Sequence, residues 1–231
     1  MVVGNIMNIN IPKFNFPIYI IIILIAIFLG LLYVIYSLKK EKIKINTTLY
    51  IILNMLLILF LGKTFTMITT KSWNFLFAGL SSYGGLTGMV LSSIIFEKTL
   101  FLKGYLLKYQ VISLPLIYGI SKIACFLSGC CYGIPANIIS VTYIDTLNIP
   151  LFPIQLLEAI IFIIIFVICN KLKNEKNIIP ITILISASFK FSLDFLRYNH
   201  LEKLITINQI ISIILVLISL FYLKLKRSSP Y

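Results

Sequence analysis

Charge is what this chain lacks most. Only 12% of its 231 residues are Asp, Glu, Lys or Arg, and 60% are hydrophobic, whereas a soluble domain is roughly a quarter charged and about half apolar. The shortage excludes an ordinary soluble domain, and a mean hydropathy of +1.04 fits a polytopic membrane protein. Histidine occurs once, as His200. With no second histidine and no Cys-x-x-Cys spacing, the usual zinc ligand sets have nothing to draw on, so no metal and no cofactor are expected. The 4 cysteines are too few for a disulfide framework in a chain this long. Cys169 stands alone at the end of an apolar run and reads as a small hydrophobe. Cys125, Cys130 and Cys131 fall close together, but adjacent Cys130 and Cys131 are badly placed to bridge each other. Internal repeats and low-complexity tracts are also missing, apart from an isoleucine bias.

What the chain has in abundance is hydrocarbon. Apolar runs of about the 20 residues needed to cross a bilayer fall at Pro17–Leu38, Leu49–Thr69, Leu80–Phe96, Leu106–Leu127, Ile154–Cys169, Ile179–Leu196 and Ile205–Leu223. They predict an all-α integral membrane protein of about seven helices, with residues 1–231 forming a single membrane domain. The net charge of +13 does not point to nucleic acid, because the lysines lie in short clusters between the runs. Lys39, Lys40, Lys42 and Lys44 follow the first run, and Lys98, Lys103 and Lys108 the third. Lys171, Lys173 and Lys176 follow the fifth, and Lys224, Lys226 and Arg227 the seventh. Positive loops stay in the cytoplasm, so the N-terminus is expected outside and the C-terminus inside. The first run has its basic cluster behind it and no small-x-small cleavage site, which makes it a permanent helix rather than a removable leader. The longest connection, Ser128 to Phe152, faces outside and contains a β-leaning stretch at Ile138–Ile144. Residues 129–152 are therefore expected to form an extracytoplasmic loop, hairpin or small cap.

Polar residues that interrupt the hydrocarbon are the candidate chemistry. Burying a charge inside a span costs on the order of 3 kcal/mol, so it marks a functional hypothesis by default. Lys122 lies in Tyr118–Pro135, the one stretch that combines charge, thiols and glycines. It reads equally as a lysine snorkelling to the interface. Lys190, Asp194 and Arg197 are spaced i, i+4 and i+7, one face of a helix, where Asp194 can bridge the two cations as a structural ladder or as part of a site. Glu158 must pair, ionise at cost or stay protonated; Gln155 shares its face. It reads as a partner for Lys122 or Lys190, or as a base. Ser81–Gly88 opens the third run with Gly84 and Gly85. These glycines suit backbone approach to an anion or close helix packing, and Tyr83 beside them supplies a phenol.

Five of these elements, in order, resemble the bacterial prolipoprotein diacylglyceryl transferase family between about residues 80 and 215. SYGGLTG resembles the family's His-Gly-Gly or Tyr-Gly-Gly element, and SKIACFLSGCCYG its Gly-Arg-x-x-Asn/Cys-Phe-x-x-Gly element. PIQLLEA is similar to Pro-x-Gln-Leu-Tyr-Glu, KFSLDFLR to Arg-Phe-x-x-Glu-Phe-x-Arg, and TINQIIS (Thr206–Ser212) to the start of the last span. The chain departs from the pattern at Lys122 and Lys190, which stand where the family usually has arginine. It departs again at Tyr83 for His, Asp194 for Glu and Leu157 for Tyr.

The resemblance implies a transferase in the bacterial cytoplasmic membrane. It would move the diacylglyceryl group of phosphatidylglycerol onto the lipobox cysteine of a lipoprotein precursor's signal peptide. Tyr83, Lys122, Glu158, Lys190 and Arg197 are the implied catalytic residues, and Gly84, Gly85, Ser128, Gly129, Gln155 and Asp194 the implied substrate contacts. The nucleophile would belong to the substrate, leaving Cys125, Cys130 and Cys131 no catalytic duty. Other readings are a non-catalytic lipid-binding relative, suggested by the lysine-for-arginine changes, a small transporter with a Lys–Asp relay, and a redox role for the cysteines.

Overall fold

In the computed structural model, the apolar runs become seven α-helices. The structure describes residues 7–11, 16–71, 74–75, 80–102, 104–143, 149–201 and 203–228. The helices are α1 (Phe16–Lys40), α2 (Thr47–Thr70), α3 (Ser82–Leu100), α4 (Tyr105–Leu127), α5 (Ile154–Lys171), α6 (Ile178–Asp194) and α7 (Ile207–Ser228). Among the described residues there are also two short strands, β1 (Met7–Ile11) and β2 (Ile139–Tyr143), and a 3-10 turn at Tyr198–Leu201. Five helices, α1, α2, α4, α5 and α7, are long and apolar enough to cross a membrane among the described residues. Serines, glycines, Glu97 and Lys98 dilute α3, and α6 has only 17 residues. Of the residues singled out from the sequence, Lys103, Ile144 and the rest of 144–148 lie outside the described residues, as does the side chain of Arg227.

The chain divides into two compact units whose boundaries fall inside α1 and α4: Phe28–Leu114, and Met1–Ile27 with Pro115–Tyr231. In the first, α2 and α3 pack along each other because glycine lets their backbones touch. A Cβ at Gly88 would meet the Leu57 carbonyl oxygen at 2.6 Å and Ile58 N at 2.9 Å; one at Gly84 would meet the Leu61 carbonyl and Gly62 Cα. Tyr50, fully buried, ties the unit together: its hydroxyl lies 2.9 Å from Ser93 Oγ and donates to Gln110 Oε1 at 2.6 Å. The Glu97 carboxylate accepts from the amides of Gly104 (2.5 Å) and Leu107 (2.9 Å), placing negative charge on the N-terminal end of α4.

Gly88→Val should therefore force backbone against backbone. Overpacking of this kind costs about 1–3 kcal/mol or more, and the thermal midpoint of the purified protein in detergent should fall. Gly85→Ala is the control, because its Cβ would meet only Ile58 Cγ2 at 3.7 Å and should leave the midpoint unmoved.

The second unit holds the remaining part of α4, then α5, α6 and α7, with α5 packed on α6 and α6 on α7. Between α4 and α5 the chain forms a small folded segment, the cap, rather than a simple hairpin. β2 pairs in parallel with β1, Met7 opposite Ile139 and Ile11 opposite Tyr143. Antiparallel bridges join Val141 and Pro135 to Leu151. Val141, Tyr143 and Leu151 are buried, and Phe126, Tyr132, Ile149 and Tyr198 pack around them. Burial raises the pKa of the Tyr132 and Tyr143 phenols above the usual range, so both stay protonated near neutrality.

Candidate active site

Three elements of the second unit each send a charged side chain to one point. Lys122 comes from α4, Glu158 from the first turns of α5, and Lys190 and Asp194 from α6. Arg197 follows from the segment beyond α6. The sequence spacing places Arg197 on the helix, but α6 ends at Asp194. There the cap takes the backbone: Ile134 N donates to the Leu196 carbonyl at 3.0 Å, and Gly133 bridges Arg197. The turn still leaves Arg197 within reach of Asp194.

Glu158 is the centre. It is completely buried and its two carboxylate oxygens meet three cations. Lys190 Nζ donates to Oε1 at 2.9 Å, Arg197 Nη2 reaches Oε2 at 2.7 Å and Oε1 at 2.9 Å, and Lys122 Nζ lies 3.2 Å from Oε2. The Tyr118 hydroxyl donates to Oε1 at 3.2 Å. Asp194 Oδ1 lies 3.3 Å from both Lys190 Nζ and Arg197 Nε, the bridge expected from the spacing. Its Oδ2 accepts from the Thr206 hydroxyl and lies 3.8 Å from His200 Nε2. The Tyr118 ring carries both lysines over its face, Lys122 Nζ at 4.8 Å and Lys190 Nζ at 5.6 Å, where the ring quadrupole attracts cations. Lys122, Lys190, Glu158, Asp194 and Arg197 are all buried. Three full positive charges face two negative ones, so the cluster holds one unmatched positive charge.

Other expected site residues are placed differently. Gln155, on the same α5 face as Glu158 and fully buried, donates Nε2 to the Cys130 carbonyl at 2.7 Å. It thereby holds the turn after α4. Gly129 occupies that turn with φ +59°, a conformation glycine adopts freely. Ser128 Oγ is buried without a hydrogen-bond partner. Tyr83, Gly84 and Gly85 belong to the other unit: Gly84 is taken up by the contact with α2, and Tyr83 is half-buried with its ring 6.4 Å from that of Phe65.

Sequence reasoning missed Tyr118 and gave Thr206 no role. Tyr118 stands one turn before Lys122 on α4, a spacing that puts both on one face. Thr206 and Gln209 form a capping box: Gln209 Oε1 accepts from Thr206 N at 3.0 Å, and Gln209 N donates to Thr206 Oγ1 at 3.2 Å. The Thr-x-x-Gln signal was readable; the hydroxyl's bond to Asp194 was not.

A family model described as prolipoprotein diacylglyceryl transferase matches residues 6–225. The chain belongs to the prolipoprotein diacylglyceryl transferase family. A relative from Dehalococcoides mccartyi, named phosphatidylglycerol–prolipoprotein diacylglyceryl transferase, is 26% identical over 132 residues, 52% of this chain and 51% of its own. One of the same name from Clostridium tetani is 27% identical over 164 residues, 64% of this chain and 65% of its own. The matches thus span about half to two thirds of those relatives' lengths. For this member of the prolipoprotein diacylglyceryl transferase family, the Glu158 cluster draws on three of the five elements that carry the sequence resemblance.

Proposed function

We propose that this protein transfers the diacylglyceryl group of phosphatidylglycerol to the lipobox cysteine of a lipoprotein precursor. The observation that carries the reading is the unmatched positive charge of the Glu158 cluster. A phosphodiester brings one negative charge at neutral pH and would complete the balance. In the reaction, the precursor's thiolate sulfur bonds to the glyceryl carbon while that carbon's bond to the phosphate oxygen breaks. Glycerol phosphate leaves with the electron pair and gains negative charge. Fixed cations at that point stabilise the transition state more than the ground state. Lys122, Lys190 and Arg197 fill this role. Glu158, with both oxygens engaged by cations, positions them rather than acting as the base. The resemblance keeps Tyr83 as a candidate for an acid or positioning role and Gly84 and Gly85 as candidate substrate contacts.

The basic clusters support seven crossings with the N-terminus outside and the C-terminus in the cytoplasm. That orientation puts Lys122 near the outer end of its span, in a bacterial cytoplasmic membrane, where signal peptides and phospholipid headgroups are both within reach.

Membranes containing the protein, labelled phosphatidylglycerol and a lipobox peptide should yield a thioether-linked product. Arg197→Ala should reduce its formation about 10²–10³-fold, the usual scale for losing one charge-stabilising donor. No product from the wild type removes the enzyme reading. Saturable phospholipid binding without product would support the alternative, a lipid-binding relative, which the lysines at positions 122 and 190 favour because an ammonium cannot grip phosphate with two prongs.

A further inference from the structure

We infer that Cys125, Cys130 and Cys131 form a three-sulfur site for Zn²⁺ with one coordination position open. Their Sγ atoms all lie within 4.8 Å of one another. Zinc–thiolate bonds are about 2.3 Å, which puts the sulfurs of a tetrahedral site about 3.8 Å apart. Side-chain adjustments below an ångström close the set. The sequence concealed this, because the spacing matches no zinc motif.

The backbone explains how two adjacent cysteines and a third one turn away come to face one point. Helix α4 ends in a Schellman turn: Cys130 N donates to the Cys125 carbonyl at 3.1 Å and Gly129 N to the Phe126 carbonyl at 3.3 Å. That motif by itself brings the side chains of Cys125 and Cys130 together, commonly as an apolar contact. It does not bring in Cys131, whose side chain would point to the other side in an extended chain. Cys131 instead adopts φ 58°, a left-handed conformation that is uncommon for a residue with a Cβ and costs on the order of 1–3 kcal/mol. The bond from the buried Gln155 amide to the Cys130 carbonyl pins the preceding peptide and holds the strained turn in place. An apolar helix cap accounts for two of the sulfurs, and the turn at Cys131 brings in the third.

By residue, Cys125 is buried, Cys130 partly buried and Cys131 exposed, so the cluster can be reached from the side of Cys131. Three thiolates with Zn²⁺ carry a net charge of −1. Thiolate ligands select zinc over hard cations. The inference does not depend on the transferase reading, since metal binding is measured without turnover.

The test is Zn²⁺ binding to the full chain, purified in detergent, reduced and kept anaerobic, in competition with a chromophoric chelator. Cd²⁺ serves as a second probe, through its sulfur-to-metal charge-transfer absorption. About one equivalent of Zn²⁺ should be held, and Cd²⁺ should develop the thiolate band. Cys131→Ser, at the exposed position where folding is least at risk, should weaken binding by more than the roughly 10–100-fold typical of losing even a supporting contact. Cys169→Ser, outside the cluster, should bind like the wild type. Equal binding by the wild type and Cys131→Ser would overturn the site, as would a reduced wild type that holds no metal and gives no cadmium–thiolate band.

Discussion

Glu158→Gln should cost the protein both its fold stability and its transfer activity. With the carboxylate present, three cations face two anions; without it they face one. Losing one partner of a buried ion pair costs about 3–5 kcal/mol, because the remaining charge stays buried and uncompensated. Here a single side chain serves Lys122, Lys190 and Arg197 at 3.2, 2.9 and 2.7 Å, so the upper end of that range is expected. The measurement is thermal unfolding in detergent alongside product formation from labelled phosphatidylglycerol. The midpoint should drop and product should become undetectable. A variant that unfolds like the wild type would show that the cations do not depend on Glu158, and the charge-balance account of the site would be lost.

Lys122→Ala should behave in the opposite way on stability. Removing this lysine leaves Lys190 and Arg197 against Glu158 and Asp194, a balanced set, at the loss of the 3.2 Å contact to Oε2 and the place over the Tyr118 ring. Folding should survive nearly intact. What disappears is the surplus charge that a phosphodiester would meet, and transfer should fall about 10²–10³-fold. Lys122→Arg should keep activity at or above the wild-type level and lower the KM for phosphatidylglycerol, because a guanidinium offers phosphate two parallel bonds. The pair of variants separates charge from packing. If Lys122→Ala transfers as fast as the wild type, the phosphate lies elsewhere.

How much of this could be read in the sequence depends on how far apart the partners lie along the chain. Lys190 and Asp194 are four residues apart on one helix, and their contact follows from helical geometry alone. That Lys122 and Lys190 both end on Glu158 requires α4, α5 and α6 to be brought together, which no local spacing encodes. Tyr118 was hidden because an aromatic in an apolar helix reads as filler; its bond to Glu158 and the lysines over its ring distinguish it. The seven runs became seven helices, yet α3 and α6 fall short of spanning length or hydropathy: the small residues that let α3 lie against α2 also dilute its apolar character. β1, with the sequence MNINI, is too short and too isolated to stand out from its surroundings. The three thiols were visible as neighbours in the sequence, but their meeting at one point involves a left-handed Cys131 that ligand spacing does not encode.

The parallel pairing of β1 with β2 sets an order of assembly. Met7 finds its neighbour only when Ile139 has been made, so this ribbon closes one of the longest loops in the chain. Distant closure is slow because its entropic cost precedes its reward. Closing the β1–β2 ribbon is therefore a late step of biogenesis. A nascent chain halted after α4 would still have an opening strand without its mate.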